Sequence, residues 1–78
     1  MNEPLVVDVR EAYRRPTPPA STVLNVPLGV LLAEPERMPR DRPILVFGSD
    51  ARESEFAARF LRTHGREAYA VRGDEADF

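Results

Sequence analysis

Two groups of residues in this sequence carry side chains able to do chemistry. One is Asp8 with Arg10; the other is the contiguous run Gly48, Ser49, Asp50, Ala51, Arg52, Glu53 and Ser54. The acids could serve as general acids or bases, the serines as nucleophiles and the arginines as partners for an anion. A serine nucleophile needs a base, and His64 is the chain's single imidazole. At about 1.5 Å per helical residue it stands roughly 15–20 Å from Ser49, so no serine–histidine pair forms within one chain. Cysteine is absent and all 11 basic residues are arginine, which excludes a thiolate, a disulfide and a lysine Schiff base. One histidine and no thiolate do not make a zinc site, so neither a metal nor a cofactor is expected.

Each of these features has a plainer structural reading. Asp50 and Glu53 have the spacing of a capping box, an N-cap and its third helical residue. They also lay two negative charges where a helix N-terminus would attract an anion, with Arg52 to offset one; a small anion at the Gly48 loop is carried as a candidate ligand. Asp8 and Arg10 are expected to tie the end of the first strand to neighbouring loops rather than to catalyse. Gly48 reads as a glycine that turns the chain sharply from strand to helix with φ > 0, against a functional reading as an opened pocket where a peptide or small ligand approaches the backbone. Arg37, Arg40 and Arg42 fall in a proline-rich connection and read as a solvated loop, with a phosphate patch as the alternative.

The elements that must position these groups follow from apolar periodicity. Residues 5–9, 22–26, 43–47 and 68–71 are short apolar runs rich in β-branched residues and are expected as strands, with 43–47, the most apolar, in the centre. Residues 51–63 are the strongest helix: Phe56, Ala57, Phe60 and Leu61 mark its apolar face, and Glu55 and Arg59 form an i,i+4 pair. His64 and Gly65 end it, with Gly65 at C′. A weaker helix spans 28–34, interrupted by Pro35; a single turn at 11–15 precedes the proline-rich link 16–19. Alternating strands and helices predict an α/β domain with a mainly parallel central sheet flanked by helices. Ligands of such sheets sit beyond the carboxyl ends of the strands, where residues 8–10, 48–53 and 72–73 converge.

Composition sets the remaining limits. At 78 residues with 42% hydrophobic content, the chain is one small domain with a core of modest size. A net charge of −2 gives no electrostatic reason to bind nucleic acid or an anionic membrane. No apolar run is long enough to span a bilayer and no signal-peptide pattern opens the chain, so a cytoplasmic location is expected. The arginine bias and eight prolines suit a GC-rich, heat-tolerant host.

Four segments in order carry a resemblance: Val-Asp-Val-Arg-Glu at 7–11, Asn-Val-Pro-Leu-Gly at 25–29, Ile-Leu-Val-Phe-Gly at 44–48, and Tyr-Ala-Val-Arg-Gly at 69–73 followed by Phe78. Together they resemble a rhodanese-like domain over nearly the whole chain, shortened at 1–78. The resemblance implies that Gly48 stands where the family has its nucleophilic cysteine, and Glu53 where the active-site loop carries arginine; Ser54 matches the serine that often follows. Asp74 replaces a second glycine and Phe78 the usual tryptophan. Sulfur transfer needs a thiolate held as a persulfide by loop N–H groups and the helix dipole, and Gly48 has no side chain.

The expected function is therefore a non-catalytic rhodanese-like domain, a binding or regulatory module linked to sulfur-carrier proteins or paired with itself as a homodimer. Two alternatives stand beside it. One is sulfurtransferase activity with a cysteine supplied by a partner into the vacant position. The other is a hydrolase using Ser49, Asp50 or Asp8.

Overall fold

A computed structural model describes residues 3–11 and 23–71. The remaining residues, which include the turn at 11–15 beyond Glu11, the link at 16–19, and Arg72, Gly73, Asp74 and Phe78, lie outside the described part. Four strands are present: β1 (Leu5–Asp8), β2 (Val23–Asn25), β3 (Ile44–Phe47) and β4 (Ala68–Ala70). They form one parallel sheet in the order β2-β1-β3-β4, so β3 is central as its apolar sequence predicts. Register is fixed by Leu5 opposite Ile44, Val7 opposite Val46, Asp8 opposite both Phe47 and Asn25, and Val46 opposite Ala70.

Helix α1 (Leu28–Ala33) links β2 to β3, and α2 (Ala51–Thr63) links β3 to β4. Both connections step across the sheet in the same direction, and right-handed crossovers then put both helices on one face, where they pack against each other. Between helix and sheet lie Val7, Leu31, Ile44, Val46 and Leu61, all fully buried. Each removes apolar surface from water, worth about 1.5–3 kcal/mol per side chain of this size.

Two details differ from the periodicity-based expectation. Phe56 is 49% exposed, and the buried stripe of α2 is Ser54, Ala57, Ala58 and Leu61. That stripe keeps the i, i+3, i+4, i+7 spacing but is rotated from the large apolar residues, because small side chains at 57 and 58 let the helix lie close to the sheet. Pro35 does more than interrupt α1: it opens a 3-10 turn, Pro35–Arg37, since its fixed φ suits the first position of a helical turn. The turn delivers Met38 to the core.

The end of α2 is a Schellman motif. Gly65, with φ 81°, donates to the Arg62 carbonyl at 3.1 Å and Arg66 donates to the Leu61 carbonyl at 3.0 Å. Arginine side chains close the connections around it. Buried Arg66 donates from Nε to the Met38 carbonyl and from Nη1 to the His64 carbonyl; Arg62 reaches the Ala68 carbonyl, and Arg42 the carbonyls of Glu3 and Pro4. No described helix is long and apolar enough to cross a membrane.

Candidate functional site

The carboxyl ends of β1 and β3 bring Asp8 and Arg10 beside the loop from Gly48 to Ser54. Asp8 ends β1 in the middle of the sheet, where its side chain is fully buried. It is satisfied by Arg10 alone among the described residues: the Arg10 backbone N–H and Nε donate to Oδ1 at 2.9 and 3.0 Å, and Nη2 donates to Oδ2 at 3.0 Å. The bidentate geometry pins the guanidinium 5.2 Å above the Phe47 ring, a cation–π contact. Its hydrogen bonds to Asp8 hold the Arg10 guanidinium above its ordinary pKa; burial opposes this, and the charges of Asp8 and Glu53 add to it. Arg10 therefore stays a fixed cation facing the loop.

Asn25, at the end of β2, is a third member that chemistry-first reading of the sequence passes over. Its Nδ2 donates to the carbonyls of both Asp8 and Arg10 at 2.9 Å. Asn25 opens one of the four segments that carry the family resemblance, but its role needs the register that places it beside Asp8.

The loop itself is an N-terminal cap with an altered reach. Asp50 is the N-cap, and its Oδ1 accepts from the Glu53 N–H at 2.9 Å. In an ordinary capping box the acid at the third position returns to the N-cap N–H. Here Glu53 Oε1 reaches one residue further and accepts from the Ser49 N–H at 2.9 Å. The Ser54 hydroxyl donates to the Asp50 carbonyl at 2.8 Å, which turns it inward and buries it. His64, the chain's single imidazole, caps the opposite end of α2 from both serines, its ring tilted at 47° and 4.5 Å from that of Phe60.

Both expectations for Gly48 need correction. Its φ is not in the left-handed region; among the described residues only Gly65 is. Nor does the missing side chain leave an open pocket. A Cβ at position 48 would meet Glu53 Oε1 at 2.6 Å, Cγ at 2.9 Å and Cβ at 3.0 Å. The glutamate already fills that space.

Away from the loop, a groove of about 320 Å³ lies at the β2 edge between Leu24, Val26, Pro27, Val30 and Met38. Among the described residues no group of three or more histidine, aspartate or glutamate side chains is placed to hold a metal ion.

No family model matches the chain, and no curated protein does either. Among solved structures, a rhodanese homologue from the extremely thermophilic bacterium Thermus thermophilus aligns at 35% identity with a TM-score of 0.67, over 88% of this chain and 76% of its own.

Proposed function

Starting from a chain that belongs to the rhodanese homologues, we propose that it is a non-catalytic domain of that family, acting as a binding or regulatory module for a protein partner of the sulfur-carrying class. One observation carries this reading: where a nucleophile's side chain would stand at position 48, the Glu53 carboxylate stands instead. The chain's lack of cysteine agrees with it. The loop arginine that the family resemblance implies is replaced by that same glutamate, and among the described residues Asp8, Asp50 and Glu53 outnumber Arg10 and Arg52 around the loop. Negative charge there disfavours a thiosulfate-like dianion. A partner's cysteine entering the loop meets the same carboxylate. Asp50 and Glu53 are engaged as caps and Asp8 in an ion pair, and His64 stands at the far end of α2 from Ser49, which counts against hydrolysis.

The test is sulfur transfer from thiosulfate to cyanide by the isolated protein against a protein-free control. No turnover above the control is expected, and measurable turnover would overturn the reading. The link to sulfur carriers is tested separately by amide NMR titration with a cysteine-persulfide peptide and its unmodified thiol. Saturable shifts with the persulfide form support it; none with either peptide sinks it.

A further inference from the structure

Gly48 and Glu53 are five positions apart and both depart from the pattern of the rhodanese active-site loop. In the structure they touch. We propose that these two departures are one structural unit, in which the Glu53 carboxylate is an internal occupant of the loop that takes the seat of the residue-48 side chain and holds the loop closed.

Ordinary contact between non-bonded carbon atoms is about 3.5–4.0 Å. All three distances from a Cβ at position 48 to Glu53, 2.6 Å to Oε1, 2.9 Å to Cγ and 3.0 Å to Cβ, fall short of that range. The carboxylate alone could swing away. Rotation about Cα–Cβ would carry Cγ away with it, whereas Cβ moves only with the first turn of α2, which is anchored by the Glu53 N–H on Asp50 and the Ser54 N–H on the Asp50 carbonyl. Moving the carboxylate has a further consequence, because the same Oε1 holds the Ser49 N–H. A side chain at 48 therefore displaces Glu53, frees the Ser49 N–H and disturbs the cap together.

The requirement for glycine at 48 thus comes from a neighbour and not from the backbone, whose φ any residue can adopt. Position 53 decides what position 48 can hold. A cysteine introduced at 48 alone finds its seat taken, and an outside anion finds the Ser49 N–H already bonded to a carboxylate. The functional meaning of this closure rests on the non-catalytic reading above; the coupling itself rests only on the contacts.

The experiment is a set of denaturant unfolding curves for Gly48→Ala in four backgrounds: the natural chain, Glu53→Gln, Glu53→Ala and Glu53→Gly. In the natural chain Gly48→Ala should raise the unfolding equilibrium constant about tenfold, within the range for overpacking. Glu53→Gln keeps the shape and should leave that factor unchanged, separating space from charge. Glu53→Ala retains only the Cβ and should cut the factor to about threefold or less. In Glu53→Gly no atom remains in the way, and Gly48→Ala should become neutral or stabilising, as expected where glycine is not required. An equal effect in all four backgrounds overturns the proposal.

If Gly48→Ala does not fold in the natural chain, the Ser49 amide decides. Its hydrogen-exchange protection should persist in Glu53→Gln and fall in Glu53→Ala, and an unmoved Ser49 amide in Glu53→Ala overturns the proposal. Failure here would remove the occupancy argument and leave the non-catalytic reading resting on the absence of cysteine, whereas turnover by the isolated chain would refute that reading without touching the coupling.

Discussion

Removing Arg10 should destabilise the protein more than neutralising Asp8, even though Asp8 is the buried member of the pair. The Asp8 side chain is fully buried while that of Arg10 is 23% exposed. In Arg10→Ala the carboxylate loses both guanidinium bonds and keeps, among its partners in the described residues, the backbone N–H of residue 10. Breaking a buried pair in this way costs about 3–5 kcal/mol. In Asp8→Asn the side-chain oxygen still accepts the backbone N–H. The guanidinium can turn its exposed edge to water while remaining over Phe47, so the cost is about 1–3 kcal/mol. At roughly 0.05–0.15 kcal/mol per residue a chain of this length has only about 4–12 kcal/mol in total, so Arg10→Ala removes a quarter of it or more. Urea unfolding followed by far-ultraviolet circular dichroism, with a common slope for all variants, measures both. The ordering should survive about 1 M salt, because buried pairs are weakly screened. A costlier Asp8→Asn, or a cost under about 1 kcal/mol for both changes, would refute this account of the pair.

Three further outcomes follow from local geometry. Asp50→Ala removes the acceptor for the Glu53 N–H and should cost about 1 kcal/mol, seen as a melting temperature lower by about 4–8 °C. Gly65→Ala forces a side chain into a φ of 81° with its Cβ 3.3 Å from Arg40 Nη1, and should cost about 1–2 kcal/mol in the same assay. Tyr69 donates its hydroxyl to Glu67 Oε2 at 2.8 Å, and this bond, aided by the Glu67 charge, lifts the phenol above its ordinary 10.0. A raised value means that the folded chain holds the proton more tightly than the unfolded one. That contribution is complete below 10.0 and disappears as pH rises through the folded value. Glu67→Gln should move the ultraviolet titration of Tyr69 to lower pH.

Much of the fold was legible because buried parallel strands advertise themselves as short apolar runs. Residues 44–47 stood out for that reason, and α2 could be bounded at both ends by Asp50 and Gly65, whose roles depend only on neighbours in sequence. What remained hidden depended on distances across the fold. Helical periodicity puts Phe56 on one apolar face with Ala57, Phe60 and Leu61, but the buried contact is made by Ala57, Ala58 and Leu61, and the small residues let the helix lie close. The roles of Asn25 and Glu53 require knowing that β2 lies beside β1 and that a glutamate can fold back over a glycine five residues earlier. A sequence shows that Gly48 lacks a side chain; it does not show that another residue uses the space.

The arginines that close the connections explain a pairing of excesses in the composition. Each proline lacks a backbone N–H yet retains its carbonyl, so a chain with eight of them has more main-chain acceptors than donors. Arginine has the opposite imbalance: five N–H donors and no acceptor. Arg42 reaches the carbonyls of Glu3 and Pro4, Arg62 that of Ala68, and Arg66 those of Met38 and His64, so these donors go to main-chain acceptors. The acceptors are neutral, so these cross-links answer to hydrogen-bond geometry more than to ionic strength. A lysine at any of the three sites would keep the charge and lose the fork that grips two carbonyls at once or reaches around a turn. Arg42, Arg62 and Arg66 thus supply side-chain N–H donors to main-chain carbonyls in the connections.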